Sequence, residues 1–324
     1  MKRINKKLLS QFWVVAVISN SVRYRSRVRL FKKFHKEMRD AGAQMIVVEL
    51  AYGRRAFEVT EEGNPHHLQL RSEAEIWHKE NMINLGVLRL TEVAPDWKYF
   101  AFIDADISFV PSHSFVERQR WISETIHQLQ HYAVIQMFQH AVDLGPTGEV
   151  FAKHEGFAWS YHEGKITKQT QKYTSFHPGY AWAIRREAFT QVGGLIETAI
   201  LGAGDRHMAY GMIGMMNVSI QPKLHPNYSV PLMQWQARAE RYIQRNIGYL
   251  PGTIVHHWHG KKKDRKYHDR WNILVQNQFD PYTDLKRNEH GLLELVVITP
   301  RQMKLRDDIR KYMRSRNEDS LDLE

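Results

Sequence analysis

The run Trp97-Lys98-Tyr99-Phe100-Ala101-Phe102-Ile103-Asp104-Ala105-Asp106-Ile107-Ser108-Phe109 decides how this chain is read. Six of its first seven residues are apolar or aromatic and the stretch is of strand length, which predicts a buried strand over 97–103. Two carboxylates follow, separated by one small residue. In open α/β sheets, ligands bind beyond the carboxyl ends of the strands. Asp104 and Asp106 placed there repel each other unless a cation or a proton intervenes. Oxygen ligands suit Mn²⁺ or Mg²⁺, which also hold phosphate oxygens. An ordinary Asp-rich strand–loop junction looks the same locally, so the surrounding pattern must decide.

Upstream, Phe12–Ser19 predicts a first strand. Ser26–Ala41 predicts a helix with Leu30, Phe31, Phe34 and Met38 in one stripe and Gly42 as its stop. Met45–Leu50 predicts a second strand and Glu75–Leu85 a helix. Buried strands alternating with helices imply a parallel α/β sheet. Downstream the pattern is mixed. Ala133–Phe138, Gly179–Ile184 and Thr253–His259 predict strands, separated by Gly-, His- and Tyr-rich segments of the kind that build sites. Thr299-Pro300 opens a helix running to about Arg316. The tail Asn317–Glu324 is expected to fray.

The 324 residues allow one large α/β domain or two smaller ones. The absence of Cys excludes a disulfide scaffold, an iron–sulfur site and a Cys nucleophile, and fits a reducing cytoplasm. The net charge of +11 is uneven, because residues 1–40 hold twelve Lys and Arg against two acids. A second basic cluster is Lys261-Lys262-Lys263-Asp264-Arg265-Lys266. Such an excess suits nucleic acid, a phosphorylated donor or an acidic membrane, or is a solvated face. No apolar run approaches the ~20 residues of a membrane span, so no transmembrane segment is expected. Lys2, Arg3, Lys6 and Lys7 before Phe12–Ile18 mimic a signal peptide. However, Arg23, Arg25, Arg27 and Arg29 follow in place of a cleavage site, and a buried strand is the better reading.

Two later blocks complete an ordered set. Gly179-Tyr180-Ala181-Trp182 leads to Arg185-Arg186, then to Gly193-Gly194, then to Gly202-Ala203-Gly204-Asp205, and last comes His256-His257-Trp258-His259-Gly260. With strand and Asp-x-Asp before them, these blocks resemble the nucleotide-sugar glycosyltransferases of the GT-A fold. The matched order spans roughly residues 12–271. The chain as a whole resembles those carried by large DNA bacteriophages.

The resemblance implies an α/β GT-A fold with a Rossmann-like nucleotide-binding half, a mixed central sheet and a C-terminal acceptor-side region. The nucleotide-sugar half would cover 1–130, the acceptor and catalytic half 131–298, and the C-terminal helix and tail 299–324. It implies a metal-dependent hexosyl- or pentosyltransferase using a nucleotide diphosphate sugar, a UDP-sugar foremost. Mn²⁺ or Mg²⁺ would sit on Asp104, Asp106 and a late His, His259 first and then His257. On a continuous strand, His257 and His259 face one way and His256 the other. A separate zinc site would need more than the two ligands of His-x-His.

Many members carry Glu-Asp where this chain has Gly204-Asp205, so the role of base falls to Asp205 alone. Asp205 would take the proton of an acceptor hydroxyl. It also suits the cap of a helix opening at Arg206. Arg265, Tyr267 and Arg270 follow the late His. The two Arg could neutralise a leaving diphosphate, or meet a nucleic-acid backbone, or be solvated. By the same resemblance Lys79 and Asn84, within Trp77–Gly86, and Ala105 would lie near the donor; Lys79 either snorkels or meets an anion. Ser19, Asn20, Arg23 and Glu49 fall where the fold meets a nucleoside. Gly179, Tyr180, Trp182 and Gly204 fall on the acceptor side.

The basic first forty residues make DNA a candidate acceptor, through the hydroxyl of a hydroxymethylated pyrimidine, in the host cytoplasm if the protein is phage-encoded. A cell-surface glycan or lipid-linked sugar is the rival acceptor. A metal-dependent nuclease leaves the Gly179–Asp205 block unexplained. A non-catalytic nucleic-acid-binding protein leaves the Asp pair and the His cluster idle. The sugar, the stereochemical outcome and the oligomeric state stay open.

Overall fold

The computed structural model describes residues 6–109, 120–167 and 176–323, so Lys2 and Arg3 lie outside the described residues. Seven strands form the larger sheet, in the order β11 (Ile247–Tyr249), β6 (Val134–Gln136), β10 (Ala181–Arg185), β4 (Tyr99–Ile103), β1 (Phe12–Ser19), β2 (Gln44–Tyr52) and β3 (His67–Ser72). Strand β10 runs antiparallel to both neighbours. The other pairings are parallel. The architecture is therefore α/β with a mixed sheet, as expected.

Both faces of this sheet are covered, which is why its central strands lack a polar alternation. Trp13 and Val15 of β1 join Phe100 and Phe102 of β4 on one face. Phe12, Val14 and Ala16 join Tyr99, Ala101 and Ile103 on the other. The helix Arg25–Asp40 buries Leu30, Phe31, Phe34 and Met38, the stripe read from the sequence. The helix Lys79–Val93 buries Met82, Ile83, Val87 and Leu90. Its Gly86 lets it sit hard on the sheet, since a Cβ there would lie 2.6 Å from Val15 Cγ1.

A second sheet has the order β5 (Ile107–Phe109), β12 (Thr253–His256), β7 (His140–Leu144), β8 (Val150–Gly156) and β9 (Phe176–His177). A short hairpin pairs Leu285–Arg287 with Leu293–Leu295. The chain passes from β4 to β5 through Asp104-Ala105-Asp106, so the Asp turn joins the two sheets. Among the described residues, no helix is long and apolar enough to cross a membrane.

Three expectations need correction. The helix expected over 75–85 starts at Lys79 and runs to Val93, because the Trp77 N–H is taken by Ile200 O at 2.8 Å. Strand β3 was not anticipated; it is a polar edge strand that, among the described residues, pairs only with β2. The C-terminal tail does not fray over its described part. Glu318, 1 % exposed, accepts hydrogen bonds from Arg27 at 2.5 and 2.7 Å and from Arg316 at 2.6 Å. Asp319 accepts from the N–H groups of Arg25 and Ser26, at 2.8 and 2.7 Å, at the start of the Arg25–Asp40 helix. Trp258 Nε1 donates to Ser320 O at 2.7 Å. The buried Arg316 and the partly buried Arg27 need a carboxylate, and the tail supplies it.

Removing that carboxylate strands two cations. Glu318→Ala is expected to cost about 3–5 kcal/mol in urea unfolding. Two buried imidazoles make the fold acid-sensitive. His78, 2.9 Å from Leu293 O, is pushed down to about 4 by burial. His207, between Ser219 Oγ and Tyr228 Oη, is pushed down to about 3 by burial and then by Arg206 and Arg270. Both lie below the ordinary value of about 6.5, so the fold favours their neutral forms. Their contribution is complete above pH ~6.5 and is lost as pH falls toward 4. The melting temperature is expected to fall over that window; a flat profile contradicts it.

Candidate active site

The Asp turn is fixed at both ends. Asp104 N–H donates to Tyr180 O at 2.7 Å, and Asp104 O accepts from Ile107 N–H at 3.2 Å. This projects the two side chains beyond the carboxyl end of β4. Strand β12 pairs antiparallel with β5, with His256 opposite Ile107. His257 N–H extends the pairing to Asp106 O at 2.7 Å. The register therefore sets His256 beside Asp106.

The strand ends at His256 and the chain turns, bringing His259 back to the same place. His259 Nε2 lies 2.8 Å from Asp106 Oδ2, and His256 Nε2 lies 3.7 Å from it. The two Nε2 atoms are 3.2 Å apart. One ligand atom from each of Asp106, His256 and His259 falls within 4.8 Å of the others. Asp106 Oδ1 is buried and has no hydrogen-bond partner among the described residues. A buried polar atom without a partner is uncommon, and beside two imidazoles it fits a divalent cation.

Asp143, 2 % exposed, organises the far side of His256. Its Oδ1 lies 2.9 Å from His256 Nδ1. A carboxylate only accepts, so Nδ1 carries the proton and Nε2 faces Asp106. Asp143 also accepts from Tyr180 Oη at 2.9 Å, from His154 Nε2 at 2.6 Å and from Lys262 Nζ. Burial opposes its charge, but these donors hold it well below the usual carboxylate range. Burial likewise opposes the charge on Asp106, and His259 and His256 hold it well below its usual value. Burial works against a charged His256, yet Asp106 and Asp143 raise it to about 9. His259 is pushed down to about 4 by burial and by Arg265, whose Nη2 is 3.0 Å away.

Two clefts meet at this group. The smaller, about 150 Å³, has an apolar wall of Val15, Val17 and Leu30 and polar edges at Ser19, Arg27 and Glu318. The larger, about 570 Å³, holds Glu80, Asp205, His177, Tyr180, Arg265 and Arg270. Trp77, Lys79, Asp104, Asp106, His259 and Arg316 line both.

Several residues read from the sequence fall here. Ser19 and Ala105 line the smaller cleft. Tyr180, Asp205, Arg265, Tyr267 and Arg270 line the larger. Lys79 meets an anion instead of snorkelling, and donates to Asp104 Oδ1. Asp104 is thereby engaged and stands outside the three-residue group. The helix Gly204–Met212 opens with Ala203 as its cap, so Asp205 is not the cap; it lies in the first turn, accepts from Arg206 N–H at 2.7 Å and faces the cleft. Tyr180 holds a left-handed φ of 73° and stacks on His177 with ring centroids 3.7 Å apart. Gly179 makes room for Asp205, since a Cβ there would lie 2.4 Å from Asp205 Oδ2.

Other assignments are corrected. His257 turns away from Asp106, with Nε2 2.7 Å from Ser108 Oγ and 2.9 Å from Lys33 Nζ, because the strand alternation stops one residue earlier. Glu49 accepts from the N–H groups of Glu58, Val59 and Thr60 and so anchors the loop after β2. Asn84 accepts from Leu195 N–H at 2.8 Å and donates to Glu197 at 2.7 Å, pinning the turn after Gly193-Gly194. Asn20 closes a turn on the Tyr24 backbone, and exposed Arg23 lines neither cleft. Trp182 is buried in the core and donates to Pro178 O. The sequence reading missed His256, Asp143, Glu80 and Glu318. His256 stood in a visible His cluster, whereas Asp143 becomes legible only through strand register.

No protein-family model matches the chain, and no curated protein matches it. Among solved structures, it aligns with the catalytic domain of Drosophila β1,4-galactosyltransferase 7 in complex with xylobiose, at 10 % identity and TM-score 0.37, over 91 % of this chain and 98 % of that one. A mannosyl-3-phosphoglycerate synthase from Rubrobacter xylanophilus aligns at 10 % identity and TM-score 0.39, over 91 % and 87 %. A glycosyltransferase involved in glycosylation of the major capsid of PBCV-1 aligns at 9 % identity and TM-score 0.30, over 92 % and 98 %.

The geometry separates the three His by metal affinity. In Mn²⁺ titration calorimetry, His256→Ala is expected to weaken binding at least as much as Asp143→Asn, which should cost roughly 10–100-fold. His257→Ala should leave it unchanged. Equal losses from His256 and His257 contradict the assignment.

Proposed function

We propose that this protein is a metal-dependent glycosyltransferase that moves a sugar from a nucleotide diphosphate sugar to a hydroxyl acceptor. The observation that carries the reading is the Asp106–His256–His259 group at the junction of two clefts, with its unpartnered Asp106 oxygen. One carboxylate and two imidazoles suit Mn²⁺ better than Mg²⁺, which prefers an all-oxygen shell. When bound, the ion would supply charge to stabilise a departing diphosphate.

The chain's own residues supply the rest. The smaller cleft, apolar with Ser19 and Arg27 at its edge, suits the nucleoside of a UDP-sugar. Arg265 and Arg270, both buried and facing the larger cleft, suit the diphosphate oxygens. Asp205 accepts the acceptor hydroxyl proton as the acceptor oxygen bonds to the anomeric carbon. The anomeric carbon–oxygen bond to the diphosphate breaks, and its electron pair leaves with the diphosphate.

For the acceptor we favour a hydroxymethylated pyrimidine in DNA, which places the protein in a host cytoplasm. The support is the helix Arg25–Asp40, whose Leu30 and Phe31 wall the smaller cleft. Its exposed Arg25, Arg29, Lys32, Lys36 and Arg39 recur at helical spacing on one outward face. A DNA acceptor predicts affinity falling steeply with salt. A neutral glycan acceptor predicts little change.

The donor half is tested by thermal shift with UDP, GDP, CDP and ADP, each with and without Mn²⁺. UDP at 100 times its Kd is expected to add about 2.7 kcal/mol only when the metal is present. Asp106→Ala should abolish the effect. Stabilisation by no nucleotide, or without metal, sinks the reading.

A further inference from the structure

The space beside Gly204, which has no side chain, is filled from another element. A Cβ on Gly204 would lie 2.6 Å from Oε1 and from Cδ of Glu80. Glu80 belongs to the first turn of the helix Lys79–Val93, 4 % exposed, and lines the larger cleft beside Asp205. The neighbouring Gly179 yields space to the Asp205 carboxylate in the same way. Two glycines thus make room for two carboxyls on one cleft wall.

We infer that Glu80 is a second catalytic carboxyl of the cleft, presented from the Lys79–Val93 helix into the space that Gly204 leaves open beside Asp205. The inference rests on the glycosyltransferase reading. The acceptor hydroxyl proton passes to the ionised member of the pair while the acceptor oxygen bonds to the anomeric carbon. The diphosphate leaves with the electron pair of its broken bond, and the proton later goes to water. The charged groups around Glu80 are Lys79 on its own helix, Asp205 on the helix Gly204–Met212 and Asp104 after β4; the Tyr228 phenol faces it from the helix Pro226–Tyr242. Burial raises the Glu80 carboxyl to about 7, against the opposing pull of Lys79 and with the help of Asp205. A carboxyl so placed gives and takes a proton near neutrality.

Two measurements decide it. Thermal melting of wild type and Glu80→Gln is followed from pH 5 to pH 8. A Glu raised in the folded state withdraws stability as pH rises through its folded value. Glu80→Gln should therefore gain in melting temperature on wild type as pH rises from 5 to 8, and a constant gap overturns the inference. The second is Mn²⁺-dependent hydrolysis of UDP-glucose and UDP-galactose, with water as acceptor. Glu80→Ala and Glu80→Gln should lower turnover on the order of 100-fold and flatten its acid limb. Combining Glu80→Ala with Gly204→Glu, which returns a carboxyl to the same space, should restore turnover and the limb. Wild-type turnover and pH profile in Glu80→Gln overturn the inference. If UDP with Mn²⁺ does not stabilise the wild type, the donor reading fails instead, and the melting gap alone decides whether Glu80 holds the proton.

Discussion

The pairing of β5 with β12 is the constraint on which the site depends. It places His256 opposite Ile107 and ties His257 N–H to Asp106 O. A one-residue slip would turn His256 to the other face and dissolve the group around Asp106. The same turn that carries Asp104 and Asp106 also carries the chain from one sheet to the other. Fold and site therefore share one piece of backbone, and the turn stays rigid because the strands on both sides are paired.

A second theme is how so much buried charge is tolerated. An unpaired buried ion is costly, and three groups of partners here hold most of the charge around the clefts. Asp143 gathers His256, His154, Lys262 and Tyr180 around one carboxylate. Glu318 holds Arg27 and Arg316 beside the smaller cleft. Lys79 engages Asp104. Asp106 Oδ1, beside two imidazoles, has no hydrogen-bond partner among the described residues. The C-terminal tail belongs to the same design, because Glu318 both lines the cleft and fastens the chain end.

What the sequence revealed and what it hid divide along physical lines. Strands buried on both faces write themselves as apolar runs, so β1 and β4 were legible, and the ligand end of β4 followed from the general rule for α/β sheets. Local periodicity also gave the buried stripe of the Arg25–Asp40 helix. Contacts set by tertiary register were not legible. His257 was preferred to His256 because alternation was carried past the true strand end. Glu49 and Asn84 sat at plausible positions but are consumed by backbone N–H and C=O groups that no local pattern announces. Glu80 was invisible because its importance comes from a glycine 124 positions later in the chain. The tail looked frayed because its polar residues find buried partners only in the folded protein.

The central claim is that Asp106, His256 and His259 form one metal centre between the two clefts. Its most direct test is the anomalous scattering of crystals grown with Mn²⁺ and UDP. A manganese peak in contact with one Asp106 oxygen and the Nε2 atoms of His256 and His259 is expected. A peak held by Asp104 and His257 instead, or no peak at the junction of the clefts, contradicts it.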